Sequence, residues 1–472
     1  MTERDAHSIA GAGAGGFVPP YPERPHRPLS AFSTLRLARR NLLAIWEDWC
    51  FELDFFSSRL LARMLFVCNS PDTVARAFIE RHESFARKSP QMRHALAPLL
   101  GDGLFISDGE IWRRRRRVVA PIVHVSQLPS FAPLIVQAAN ETANRWADIP
   151  KGAPINALAE MAALTAEIIC RTVFGRHLGS KHAGEIVSAF SEYQRLIGQL
   201  DLAYLVGLPD WLPRFHSPAI HRAARRIHKV LDEIIRGSRE RFADGEASMI
   251  RLLLEARDSE TGERLDDTAL RNEAAVIFMA GHETTANSLA WTWYLLSQAP
   301  EAEDRLHAEL ARVLRGRLPT LEDVPELIYT RAAFEEAIRL YPPVPVLARQ
   351  ALQDERIRGR SIPTGSLVMV VPWLLHRHRK YWERPDHFVP ERFLPENAGS
   401  LVRHAYIPFS TGPRICAGAA FGLTEAILCL ATLAQRVRLR LASDAVVEPV
   451  CRLSLRPGDD LRMLIDSREQ TD

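Results

Sequence analysis

The stretch FSTGPRICAG (409–418) dresses Cys416, one of six cysteines in a chain of 472 residues, with two glycines and an arginine. A single thiol so placed can be a buried structural side chain, a redox nucleophile or a metal ligand. The other five, Cys50, Cys68, Cys170, Cys429 and Cys451, are scattered without a CxxC pair. That usage fits a reducing compartment and not a disulfide framework. A second chemical candidate, GHETTA (281–286), lies in the middle of an apolar stretch. A zinc-protease helix would need a histidine four residues after His282, and position 286 is Ala286. Gly281, Thr284 and Thr285 together lower helix stability by roughly 2 kcal/mol. A buried Glu283 costs more unless it is paired. Several local rules fail here at once, which predicts a functional interruption of the helix. His376 and His378 in LHRHR have no third ligand nearby and read as structural.

These residues need elements to position them. The longest helix spans Asp267 to Ser297, capped by Asp266 or Asp267 and stopped by Pro300. EEAIR (335–339) puts Glu336 and Arg339 three apart on one helical face, and PERF (390–393) adds Arg392 downstream. DGEIWRRRRRVVAP (108–121) places Trp112 and Arg116 one turn apart on a basic helix. PPVPVLARQALQD (342–354) brings Arg349 after a proline-rich turn. RMLFVC (63–68) and SLVMVV (366–371) read as strands bounded by turns. Residues 425–436 read as a helix, and VEPVCRLSLRPGDDLRMLI as a closing hairpin turned at Pro457-Gly458.

GAGAGG (11–16) matches GxGxxG, but no strand precedes it and a proline cluster follows. Residues 1–30 are therefore expected to be a flexible, proline-rich segment, its prolines keeping it extended. Residues 31–472 are expected to form one mainly α domain with small β-sheets. The charge is nearly balanced, 60 basic against 57 acidic residues, which argues against a dedicated nucleic-acid binder. The N-terminus has no signal-peptide pattern and no stretch reaches 18 apolar residues, so a cytoplasmic protein without a transmembrane anchor is expected.

In this order, the stretches resemble the cytochrome P450 family of haem-thiolate monooxygenases from about residue 30 onward. FxxGxRxCxG is met by Phe409, Gly412, Arg414, Cys416 and Gly418, and AGxET by Ala280, Gly281, Glu283 and Thr284. ExxR is met by Glu336 and Arg339, and the PERF arginine by Arg392.

The resemblance implies a triangular helical prism around a buried haem b. It makes Cys416 the axial iron ligand, whose thiolate pushes electron density towards the metal. Gly412 and Gly418 would allow a tight path aiming amides at the sulfur, Phe409 would shield it, and a helix starting near Ala417 would lower its pKa. Trp112, Arg116, Arg349 and Arg414 would hold the haem propionates. Glu336, Arg339 and Arg392 would form a structural network on the ligand side. Across the haem, Ala280 and Gly281 would line an oxygen groove, with Thr284 and Glu283 as the catalytic pair. Ala275, Val276, Phe278 and Met279 are candidates for an apolar wall.

The implied reaction inserts one atom of O2 into a hydrophobic small molecule: a terpenoid, steroid, fatty acid or aromatic. Electrons would come from NAD(P)H through a separate ferredoxin- or flavodoxin-type donor, docked by Arg113, Arg114, Arg115 and Arg117 on a monomer. Substrate choice would lie in the loop 88–107 and in the segment 190–220. Two rivals share the fold, a peroxide-driven peroxygenase and a non-catalytic haem sensor. The intact Glu283–Thr284 pair counts against both.

Overall fold

The computed structural model describes residues 16–150, 152–175, 179–197, 202–208, 215–240, 248–451 and 453–468. At its centre runs one helix, Asp267–Gln298, whose N-cap Asp266 accepts from the Ala269 amide. Most of it is buried because apolar residues recur on nearly all its faces. The helix Ala157–Ile169 lies along it, and Gly281 makes that approach possible. A Cβ there would stand 2.5 Å from Ile169 Cδ1.

The expected interruption at 281–285 is absent, and the central helix is continuous. The hydroxyls of Thr284, Ser288 and Thr292 donate to the carbonyls four residues back, at 2.6, 2.8 and 2.8 Å. Back-bonding of this kind satisfies buried hydroxyls without breaking the helix.

The helix that follows Cys416 begins at Ala419, close to the expected start near Ala417 and ahead of residue 425, and runs to Ala434. It packs against Leu128–Ala147, with Phe131 and Phe421 edge to face. Gly179–Leu196 and Pro218–Glu240 pack together as a further helix pair.

Small sheets complete the frame. A five-stranded sheet has the order Phe55–Leu60, Arg63–Cys68, Leu367–Val370, Leu347–Gln350, Arg87–Lys88. In its last pair Arg349 faces Lys88, so a sheet edge sets two cations side by side. The closing hairpin differs from expectation. Val450–Cys451 pairs with Leu455–Arg456, whereas Arg462–Ser467 pairs with Val437–Leu441 and Pro154–Asn156. Gly458 does turn the chain, at φ +88°, but it sends it into a different sheet.

Most of GAGAGG (11–16) lies outside the described residues. Residues 16–30 form no helix or strand and lie against the rest of the chain. The Phe388 amide donates to Phe17 O at 2.9 Å, Tyr341 donates to Pro20 O at 2.7 Å, and Arg24 grips Asp386 through two nitrogens. Among the described residues no helix is long and apolar enough to cross a membrane.

The segment 101–105 is pinned to the central helix by polar groups. Glu273, fully buried, accepts from the Leu104 amide at 2.9 Å and faces Arg115 at 3.4 Å. Asp102 takes hydrogen bonds from Arg115 and Asn272. Burial, together with the Asp102 charge, outweighs Arg115 and pushes the Glu273 carboxyl up to about 8. The folded chain therefore binds a proton that the unfolded chain releases near pH 4.5, and its stability must fall as pH rises from about 5 to 8. Denaturant titrations across that range should show the decline, and Glu273→Gln should flatten it.

Candidate active site

The loop 409–418 is shaped before it is charged. Ser410 and Gly412 adopt φ +67° and +73°. A Cβ on Gly412 would lie 2.0 Å from the Phe78 carbonyl oxygen, so only glycine fits. Gly418 differs: its φ is −92° and a Cβ there meets nothing within 4 Å. Its contribution is its N–H, which reaches the Cys416 sulfur. The Cys416 amide donates to Phe409 O at 2.9 Å, closing the turn with the half-buried phenylalanine beside it. Burial pushes the thiol up, while the Gly418 amide, Arg116 and Lys88 draw it down. The side chain is nevertheless open on one side, unlike the other five cysteines.

The loop hangs from a polar network on the helix Ile328–Leu340. Arg339 and Glu336 are fully buried and joined by two bonds of 2.6 and 2.8 Å. The remaining donors of Arg339 reach the carbonyls of His376, Pro385 and His387. Glu336 also accepts from the Val389 amide and, at 3.4 Å, from Arg392. His376 accepts from the Ile407 amide, two residues before Phe409. Burial and two neighbouring arginines push this histidine down to about 3, so it is neutral. His378 accepts from the Lys380 amide. Neither histidine belongs to a metal cluster among the described residues.

Beside the thiol stands a group of cations with too few anions. Arg414 stacks on Trp112 at 4.5 Å and donates to Ser107 O. Arg349 is buried, with Nη1 unpartnered, and burial and Arg414 push it down to about 9. Arg414 is pushed down to about 10 by burial and Arg116. Lys88 is held far below its ordinary value by burial, Arg349 and Arg414. Burial lowers Arg116 as well. The nearest carboxylate, Asp108, is already bonded to Arg87. A crevice of about 30 Å³ opens between Trp112, Arg349, Thr411 and Arg414. Four crowded cations and an open thiol fit a flat ligand carrying two carboxylates and a metal, as haem does. Lys88 was missed in the sequence because RKSP carries no pattern that marks it.

The remaining arginines of the basic run do not form free docking charge. Arg115 is buried against Asp102 and Glu273. Arg113 pairs with Glu110, Arg114 with Glu263, and Arg117 with Asp258. The expected docking face is thus neutralised by carboxylates, some of them remote in sequence.

On the opposite side, Ala280 is exposed and Gly281 and Thr284 are half-exposed in a helix otherwise buried. They are the accessible positions in the middle of that helix. Of the expected wall, Ala275 and Phe278 are fully buried, and Phe278 stacks with Phe174, Phe190 and His282 instead. Val276 lies against the 101–105 segment, where a Cβ on Gly103 would touch it at 2.8 Å. Glu283 is held at both oxygens: Arg456 donates to Oε1 and Gln194 to Oε2, each at 2.5 Å. Arg456 comes from the C-terminal hairpin and Gln194 from the helix Gly179–Leu196. Sequence distance hides both partners.

Two measurements test this geometry. Cys416→Ser should abolish the red-shifted Soret band of a thiolate–CO complex. Lys88→Met should lower haem retention about 10- to 100-fold, the worth of one charge-assisted bond, while leaving that band's position unchanged.

Comparison with known proteins identifies the family. The family model described as Cytochrome P450 matches residues 48–459. A cyclooctat-9-en-7-ol 5-monooxygenase of Streptomyces melanosporofaciens is 33% identical over 348 residues, 72% of this chain and 73% of its own. A pentalenene oxygenase of Streptomyces avermitilis is 30% identical over 373 residues, covering 78% and 81%. The crystal structure of the cytochrome P450DA haem domain superposes with a TM-score of 0.81 at 27% identity, over 96% of this chain and 99% of that one. The family model and these relatives agree, and the chain belongs to the cytochrome P450 family of monooxygenases.

Proposed function

We propose that this monooxygenase inserts one atom of O2 into a C–H or C=C bond of a cyclic terpenoid. The observation that carries the reaction class is the accessible middle of the central helix, where Thr284 stands beside Glu283 and next to bare Ala280. The substrate class is supported by the relatives' names, which denote an unsaturated cyclic alcohol and a cyclic alkene. Electrons come from NAD(P)H through a separate ferredoxin- or flavodoxin-type donor. Ile415, 43% exposed next to Cys416, offers that donor an apolar approach to the ligand loop.

Haem, when bound, supplies the iron at which dioxygen is reduced and one oxygen atom is delivered. Cys416 would be its ligand, and Lys88, Trp112, Arg116, Arg349 and Arg414 would hold its carboxylates. Thr284 gives its own proton to Ala280 O at 2.6 Å, so its lone pairs are left to accept. As an acceptor it positions a proton donor. Glu283 serves as the proton source. Both its oxygens are occupied, so it passes a proton only when Gln194 releases Oε2. Arg456 holds the other oxygen, Oε1, in place.

Thr284→Ala should reduce product formed per NAD(P)H and raise peroxide release. Glu283→Gln keeps the shape of the side chain but has no proton to pass, and should lower product formed per NAD(P)H; unchanged coupling would remove Glu283 from proton delivery. A panel of cyclic terpenes, steroids, fatty acids and aromatics, read by the haem spin-state shift, tests the substrate class. Shifts confined to fatty acids or aromatics would refute it.

A further inference from the structure

The molecule holds a second group of cations, on other elements than those around Cys416 and with no part in the reaction. A groove of about 420 Å³ opens between the helices Pro90–Leu100 and Pro218–Glu240. Its polar lining is His216, His221, Arg225 and His228, and its apolar lining includes Pro98 and Ala224. Among the described residues no carboxylate lines it.

Pro98 explains how the first of these rings is set. A proline has no N–H, so the carbonyl of His94, four residues earlier, lacks its ordinary partner within the helix. His216 Nε2 makes that bond instead at 2.8 Å, and its ring stacks on that of His94 with centroids 4.0 Å apart. His221 stands edge-on to His216 at 5.7 Å. His228 Nε2 donates to Leu99 O at 2.7 Å. A carbonyl oxygen only accepts, so Nε2 carries the proton in both bonded rings. The nitrogen left for a ligand is Nδ1, which is a lone pair in the neutral ring and a donor once the ring is protonated.

Arg225 is charged whatever the state of the histidines. Its Nε bonds back to His221 O at 3.3 Å, and its two terminal nitrogens meet no acceptor among the described residues. The carboxylates nearby are already engaged: Asp232, beside His228, pairs with Arg271 at 3.1 Å, Glu192 with Arg226 at 2.9 Å, and Glu233 with Lys229 at 3.9 Å. Arg93 on the facing helix and Arg222 next to His221 add the same sign as Arg225. Burial pushes His228 down, so an anion is what favours its charged form.

We propose that this groove binds an organic anion, its oxyanion head held by Arg225 and the Nδ1 edges of His216 and His228, its apolar body over Pro98 and Ala224. Binding takes up protons, because those ring edges donate only when charged. A phosphate ester or a carboxylate supplies the same acceptor chemistry for the head. Bound there, the anion ties the helix Pro90–Leu100 to the helix Pro218–Glu240.

Calorimetry on the haem-loaded enzyme tests the site without turnover. Inorganic sulfate keeps its charge between about pH 6 and 8, so any pH effect on its binding belongs to the protein. It should bind at one site about tenfold tighter at the lower pH, with net proton uptake revealed by buffers of different ionisation heat. His216→Gln and His228→Gln keep a donor for the two carbonyls but cannot charge, and each should reduce that uptake. Arg225→Gln should weaken sulfate about tenfold at both pH values, the worth of one charge-assisted bond. Phenyl phosphate and phenylacetate then identify the head, the tighter of the two marking esters or carboxylates. Neither binding tighter than sulfate removes the apolar body and overturns an organic ligand. No sulfate binding, equal affinity at both pH values, or affinity that Arg225→Gln leaves in place overturns the site.

Discussion

One buried guanidinium ties together the sulfur side of this molecule. All the donors of Arg339 that make bonds do so inside the protein, to Glu336 and to three carbonyls from separate turns. In a low-dielectric interior such a group holds its neighbours by the cost of leaving any of its protons unbonded. The carbonyls it collects, at His376, Pro385 and His387, fix a long loop. His376 in turn sets Ile407 and the entry to the ligand loop. The position of the thiol is thus decided some distance from the thiol itself.

The contrast with the cations beside Cys416 is informative. Arg339 is satisfied by protein alone, and removing a partner would leave a stranded charge worth about 3–5 kcal/mol. Arg349, Arg414, Arg116 and Lys88 are crowded together with fewer acceptors than they need. The first arrangement builds a frame, and the second leaves cations that an anionic ligand would complete. Both use arginine, and only the partner list tells the roles apart.

How far the sequence reveals this depends on the range of each interaction. Local chemistry was legible: the Asp266 cap, the strands at Arg63–Cys68 and Leu367–Val370, the Glu336–Arg339 spacing and the glycine at 412 all follow from neighbours. The helix after Cys416 starts at Ala419, near the Ala417 that the resemblance implies and six residues before the 425 that residue type alone suggests, because packing against Leu128–Ala147 overrides the weak propensity of Gly422 and Thr424. The central helix stays whole because its hydroxyls bond to it, which residue type alone does not announce. The arginine run read as a surface, yet Arg115 and Arg117 meet buried carboxylates at Glu273 and Asp258. Lys88, Gln194 and Arg456 reach the site through sheet edges and helix contacts far along the chain, and no spacing rule reports them.

The docked leader at residues 16–30 carries a consequence for handling the protein. Arg24 grips Asp386, and the residue before Asp386 gives its carbonyl to Arg339. Tyr341, two residues after Arg339, donates to Pro20 O. The leader is thus stitched to the same frame that seats the ligand loop. A chain shortened to the first helix would lose the bonds of Phe17, Pro20 and Arg24 to that frame.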